Sequence, residues 1–447
     1  MMQEMILLGA GASVKAGVPD SYAMTRVIAT RFANNHLSDH AHLIKFVIGG
    51  LLFQKGIRNE DPFGGVDVEE LFNAVMLLAD RSKLEAAPFI GSWHDMVDQF
   101  DRIAPGFYGS DRLNRAIYDS VAKEVIGALS QSPPSFADDK IDKALVAAVL
   151  KTVEDKLKGR STHYLSSDSS VGRAVGGYLR ELTAKWVKML KSARPSSSEF
   201  GRELRKVLSE TDTPGEGQVY RSVSEEMIRM LKDIVWIETA GSADYLKPMM
   251  TPLQSQSSLV IATLNYDNSV ELAAESMGWS CDTGIDRWST TARFDTDGDG
   301  LHLLKLHGSI DWALADDIPN QTMPHQVIRK KEGAAVKDDS YQPAVVFGQK
   351  NKLTADGPFL DLLQAFRHAL HQADRLTVIG YSFRDEHING YISQWMNADA
   401  NRRLRIIDPG FGQNAVDYAR ALRAHCSERL DEIAEKAETA LPQAFGA

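Results

Sequence analysis

The chain is short of cysteine, of basic excess and of long apolar runs, and each shortage removes a class of protein. Its two cysteines, Cys281 and Cys426, form no C-x-x-C pair, so a zinc ribbon and a disulfide framework both lose support and a reducing cytosol is the natural setting. Sixty acidic against 50 basic residues leave a net charge of -10, which disfavours a protein whose main work is gripping phosphate backbone, so direct nucleic-acid binding is not expected. No run of about 18 apolar residues occurs, and Glu4 sits where a signal peptide would want a basic residue. No membrane association is expected, and the localisation inferred is cytoplasmic. Internal repeats and long low-complexity tracts are lacking too. What remains is ordinary globular composition, 43% apolar and 25% charged over 447 residues. That excludes wholesale disorder, and at about 150 residues per domain it predicts two or three packed units.

Gln3 to Leu8 has the pattern of a short buried strand, and Ser21 to Asn34 carries apolar residues at helical spacing. Between about residues 35 and 251 the segments "VDVEELFNAVMLLA", "DDKIDKALVAAVLKTVEDKL", "VGGYLRELTAKWVKML" and "SEEMIRMLKDIVWI" all show 3.6-residue apolar periodicity with charged faces. In the first, Asp67 and Glu70 form an approximate capping box. "SQSPPSFADD", "SARPSSSEF" and "TDTPGEGQ" predict the loops between them. Strand signals return at "SLVIATLNYD", "LHLLKLHGS", "PAVVFGQ", "RLTVIGYSF" and "RRLRIIDPG", most of them apolar without alternation, as strands covered on both faces are. The expected fold is α/β, a Rossmann-like parallel sheet interrupted by a large, mainly helical insertion: residues 1–35 and 252–447 as one discontinuous domain, 36–251 as the insertion.

Four strand ends could carry chemistry. In "GAGASVKAGVPD", Gly9, Gly11 and Gly17 permit tight turning and close approach of backbone N–H groups, and Ser13 adds a hydroxyl. A phosphate or pyrophosphate is the expected guest. The alternative is a glycine turn that packs helix on strand, and Val14 stands where a G-x-G-x-x-G fingerprint has its third glycine. "TLNYD" sets Thr263, Asn265 and Asp267 at the rim where open α/β folds bind ligands, to bond a ribose or orient a water, or else, for Asn265 and Asp267, to form an Asx turn capping the next helix. "LLKLHGSIDW" puts His307 between an apolar strand and a Gly-Ser turn, the best general-base candidate. Gly380 and Ser382 of "VIGYSFRDEHIN" offer backbone donors and a hydroxyl, and Asp408 of "RIIDPG" can accept from ribose hydroxyls; Asp385, Glu386 and His387 are read as capping and solvating the next helix. Two other patterns are set aside. Asp295, Asp297, Asp299 and Gly300 have calcium-loop spacing, but Leu306 occupies the position of the bidentate glutamate. His368 and His371 lie one helical turn apart with no carboxylate or third ligand evident in the sequence.

The order of "GAGAS" with "GVPD", "TLNYD", "LHGS", "GYSF" and "IIDPG" resembles the sirtuin superfamily, and more closely the bacterial sirtuin-like domains of antiphage defence systems. The resemblance covers the first 20 residues and roughly Leu259 to Gly410. It implies that Gly9, Ala10, Gly11 and Ser13 hold the pyrophosphate of NAD with Asp20 nearby. Asn265 would meet the nicotinamide ribose or the attacking water, His307 would be the catalytic histidine, and Gly380, Ser382 and Asp408 would line the adenosine side; Thr263 and Asp267 complete the binding set. It further implies NAD as substrate with no metal, hydrolysis to nicotinamide and ADP-ribose, and an effector that depletes NAD, weakly active until a homo-oligomer assembles or a separate sensor or ATPase partner acts. The sequence departs from deacylating sirtuins, with Ser21 and Tyr22 where they carry Phe-Arg and no four-cysteine zinc module. "PAVVFGQ" resembles their peptide-pairing strand, with Gln349 in place of a glutamate, or is another sheet strand. The alternatives are an NAD or ADP-ribose sensor without turnover, and an NAD-dependent deacylase or ADP-ribosyltransferase.

Overall fold

The computed structural model describes residues 3–34, 38–58, 60–84, 217–315, 327–337, 343–347, 357–413 and 416–446, with positions 86, 97 and 341 besides. Met5, Ile6, Leu7 and Leu8 are each at most 1% exposed, and they face two ways. Met5 and Leu7 join one apolar cluster, Ile6 and Leu8 another. A strand buried on both faces needs cover on both, which is why its sequence does not alternate.

The described strands are β1 (Glu4–Leu8), β2 (Ser258–Thr263), β3 (Cys281–Asp282), β4 (Gly300–Lys305), β5 (Gly308–Ala315), β6 (Val327–Lys330), β7 (Pro343–Val345), β8 (Arg375–Ile379), β9 (Arg403–Ile407) and β10 (Leu430–Ile433). Seven form one sheet in the order β10-β9-β8-β1-β2-β4-β3, every pair parallel. The other three make a small antiparallel sheet, β6-β5-β7, so "PAVVFGQ" supplies a sheet strand outside the parallel set. The described helices are α1 (Ser21–Asn34), α2 (Ser38–Ile57), α3 (Val68–Ala79), α4 (Gln218–Val235), α5 (Ser269–Ser276), α6 (Ile285–Thr291), α7 (Phe359–Gln372), α8 (Glu386–Ala398), α9 (Asp417–Cys426) and α10 (Ala437–Phe445). Apolar residues of α7, α8 and α9 cover the Met5/Leu7 face. The 3-10 segment Ala240–Gln254, α5 and α10 cover the other. The fold is α/β and Rossmann-like, and the described elements between β1 and β2 are helical.

By Cα packing the chain divides into two compact units, Met1–Leu78 with Tyr220–Ala447, and Ala79–Val219. The helices predicted over 138–157 and 175–190, with the loops at 130–139 and 192–200, lie outside the described residues. Of the predicted insertion helices that are described, α3 starts on the expected cap. Asp67 Oδ1 accepts the Glu69 amide at 2.8 Å, whereas Glu70 pairs with Lys55 at 3.0 Å instead of turning back to the cap.

Register fixes the rim. Leu8 pairs with Thr263 and with Ile379, Thr263 with Lys305, and Ile379 with Ile407. The chain therefore leaves five neighbouring strands in one row. Because the strands after β1 are laid down first on one side (β2, β4, β3) and then on the other (β8, β9, β10), the order reverses beside β1, and the loops leaving β1 and β8 bound the switch-point crevice where open α/β sheets bind ligands.

Candidate functional site

The loops after β1 and β8 are joined main chain to main chain. The Gly9 amide donates to Ile379 O and the Gly11 amide to Gly380 O, both at 2.9 Å. Gly380 has φ 61°, and a Cβ there would lie 2.3 Å from the Ala12 nitrogen; one on Gly9 would lie 2.6 Å from the Gly380 oxygen. The close approach that the sequence suggested for an anion is thus made by the neighbouring loop, and two of the expected anion donors are already engaged. The segment Ala10–Ala16 is a 3-10 turn with Ala10 exposed on it and Ser13 buried. Asp20 caps α1, its Oδ1 accepting the amides of Tyr22 at 3.1 Å and Ala23 at 2.8 Å.

The loops after β2 and β4 are held by side chains instead. Thr263 Oγ1 accepts the Asn265 amide at 3.0 Å, and Asn265 Nδ2 donates to Gly9 O and Ser13 Oγ, each at 2.9 Å. The carboxamide so ties the β2 exit to the glycine turn, while Oδ1 carries no hydrogen bond among the described residues. Asp267 takes the Asx-turn alternative, with Oδ1 accepting the Ser269 amide at 2.9 Å. Its carbonyl accepts from Lys305 Nζ at 2.7 Å, and the same ammonium meets Glu271 Oε1 at 2.8 Å. Lys305 is completely buried. Burial alone would depress its pKa, but Glu271, Asp311 and Asp267 outweigh it and the net shift is upward. Burial raises the Glu271 carboxyl, with Lys305 opposing.

His307 stands two residues beyond β4 as Asn265 does beyond β2, and both are buried. Its Nε2 lies 3.2 Å from Asp385 Oδ2; Nδ1 has no hydrogen-bond partner among the described residues and lies 4.0 Å from Glu69 Oε1. Asp385 keeps the predicted capping role, its Oδ1 accepting the amides of His387 at 3.0 Å and Ile388 at 3.3 Å, and adds the histidine contact that its sequence position does not reveal. Glu69, on α3, was not foreseen either. Its Oε1 is 3.0 Å from the Tyr266 hydroxyl, which also reaches Val346 O at 3.0 Å. Burial, reinforced by Glu69, pushes the Tyr266 hydroxyl well above its ordinary pKa, keeping it a neutral donor. The Tyr266 and His307 rings lie 6.3 Å apart, centroid to centroid. After His307, Gly308 at φ 81° turns the chain into the antiparallel sheet, where a Cβ would lie 2.1 Å from the Ala344 oxygen.

Residues 259–428, from β2 to just past α9, match the family model described as the SIR2-like domain. Over that stretch the chain is similar to SIR2-like domains. Among solved structures, a Sir2 homologue, a phenylalanine-to-alanine mutant in complex with ADP-ribose, is similar at 12% identity over 51% of this chain and 76% of that one, with a TM-score of 0.29. No curated protein matches the chain.

The matched SIR2-like stretch contains Thr263, Asn265, Asp267, His307, Gly380, Ser382, Asp385 and Asp408, and leaves the β1 turn outside it. Not all of these converge. Ser382 is exposed on the β8 loop. Asp408 closes its own turn, Oδ1 accepting the Gly410 amide at 2.6 Å, and burial raises its carboxyl. Beyond the rim, Asp297 meets His368 Nε2 at 3.1 Å, the carboxylate that the two-histidine pattern did not reveal. No group of three or more His, Cys, Asp or Glu side chains is arranged to hold a metal among the described residues.

Proposed function

We propose that the protein is an NAD hydrolase that cleaves the bond between nicotinamide and ribose. The observation that supports this most is the pairing of a free carboxamide oxygen on Asn265 with a partly unpartnered imidazole on His307, at the ends of adjacent strands in a SIR2-like domain. Nicotinamide in NAD is a cationic leaving group. Breaking its bond to the anomeric carbon returns the electron pair to the pyridine nitrogen and leaves an oxocarbenium-like sugar that water attacks from the opposite face. Asn265 Oδ1 orients that water or a ribose hydroxyl, and His307 takes the proton released as the new carbon–oxygen bond forms. The products are nicotinamide and ADP-ribose. In this reading the cell's NAD is at risk, so the activity is restrained until a homo-oligomer forms or a sensor or ATPase partner acts. The resemblance to antiphage-defence domains supplies the setting.

The test is nicotinamide release by wild type, Asn265→Ala and His307→Ala at several protein concentrations, with NAD binding followed by calorimetry. Both variants are expected to lose about 10²-fold or more in turnover while binding NAD, and wild-type turnover is expected to rise on assembly. Undiminished release by both variants overturns the assignment. A second reading, an NAD or ADP-ribose sensor, is favoured by one fact: both hydrogens of Asn265 Nδ2 are engaged by Gly9 and Ser13, as a structural strut requires. Tight binding with no nicotinamide released in any assembly state selects it.

A further inference from the structure

We propose that Asp385 is the positioning residue that fixes the tautomer of His307, so that the reactive nitrogen is Nδ1. The proposal rests on the reading of His307 as the base. Asp385 is itself immobilised. One carboxylate oxygen takes two amides at the start of α8, and its own amide donates to the Tyr381 hydroxyl at 3.2 Å, a group that in turn donates to Asn389 Oδ1 at 3.0 Å. The second oxygen is therefore held in place 3.2 Å from Nε2. A carboxylate only accepts, so the hydrogen of the neutral ring sits on Nε2 and the lone pair on Nδ1. Nδ1 is buried without a partner among the described residues. Among the described residues, the charged and titratable groups facing the ring are Asp385 from the cap of α8, Glu69 from α3 at 4.0 Å from Nδ1, and Tyr266 from the β2 exit; Tyr381 from the β8 exit bonds Asp385. None of them donates to Nδ1. A buried acceptor nitrogen with no donor is costly unless a guest supplies one, and a water or ribose hydroxyl does so. Its O–H bond breaks, the oxygen keeps the electron pair, the N–H bond forms at Nδ1, and the resulting imidazolium is stabilised through Nε2–H by Asp385.

The experiment is nitrogen NMR of the full chain labelled with ¹⁵N-histidine, His307→Gln identifying the resonance, alongside nicotinamide release. Wild type is expected to carry its hydrogen on Nε2. Asp385→Asn preserves the helix cap but presents an amide group that can donate to Nε2, so the tautomer shifts towards Nδ1–H, and kcat falls by about 10²-fold with KM for NAD little changed. Asp385→Ser, which also caps, is expected to lose the Nε2–H preference as well. A wild-type ring with its hydrogen on Nδ1, or variants that leave tautomer and kcat unaltered, overturns the proposal. The tautomer is read independently of catalysis: if no form releases nicotinamide, the hydrolase reading falls alone, and the role of Asp385 is decided by the resonance.

Discussion

On the β1/β8 side of the rim the loops are held by main chain against main chain, through Gly9, Gly11 and Gly380, whereas on the β2/β4 side they are held by buried side chains, through Asn265, Lys305 and His307. The difference teaches where each half is vulnerable. The first half depends on the absence of atoms, since any Cβ on Gly380 collides with backbone that cannot turn aside. The second depends on the presence of partners, since a buried charge or amide that loses its mate is left without water to replace it. Asn265 joins the halves, being a side chain of one that donates to the main chain of the other.

The largest effect is expected where the second half is broken. Lys305→Met leaves Glu271 buried without its cation, and the loss expected is about 3–5 kcal/mol in urea unfolding. Adding Glu271→Leu should recover part of it, because two apolar groups then replace the pair. A double variant no more stable than Lys305→Met would show that the Asp267 carbonyl, not Glu271, is the partner that matters. The Lys305 shift is upward, so its contribution is complete below the ordinary lysine pKa and is lost only as pH rises through the higher folded value. Wild-type stability should therefore not depend on this group across the neutral range.

Breaking the first half should cost somewhat less. Gly380→Ala combines a backbone at φ 61° with a Cβ placed 2.3 Å from the Ala12 nitrogen, and about 2–4 kcal/mol is the expected loss. Gly412→Ala, whose Cβ meets nothing within 4 Å, should stay within about 0.5 kcal/mol of wild type. Equal losses at the two positions would remove the argument that the β1 and β8 turns are built by backbone contact.

The same contrast explains what the sequence revealed. Strand β1, helix α1 and the strands beginning at residues 258, 300, 375 and 403 were legible because apolar runs and glycine turns are local signals. Asn265 and His307 were legible as strand-end polar groups. Their partners were not. Asp385 sits 78 residues from His307, and Glu69 reaches Tyr266 across 197. Periodicity carries no information about such pairings, and Asp385 in particular already had a sufficient local explanation as a helix cap. Glycines misled in the opposite direction. Gly9 and Gly11 were seen, but the backbone they admit is that of Gly380, which a single strand-turn-helix pattern does not contain. Strands β5, β6 and β10 escaped because they are short or partly polar.

The smallest expected effect sharpens the comparison at the edge of the second half, where α3 delivers Glu69. Asp67 caps that helix and is half-buried; burial first, and then Glu69, raises its carboxyl pKa despite a hydrogen bond from Ser21. A raised folded value means that the native state binds the proton more tightly than the unfolded chain, so this group's stabilisation is present in acid and is lost as pH rises through the folded pKa. At neutral pH the ionised carboxylate is a net burden. Asp67→Asn keeps a side-chain oxygen for the Glu69 amide, as asparagine is an effective cap, and removes the charge. It should melt slightly higher than wild type at pH 7, with the gain shrinking to nothing as pH is lowered past the ordinary aspartate range. Paired thermal melts at neutral and acidic pH read this directly. A variant less stable than wild type at pH 7 would mean that the charge on Asp67 serves the helix terminus more than its burial costs.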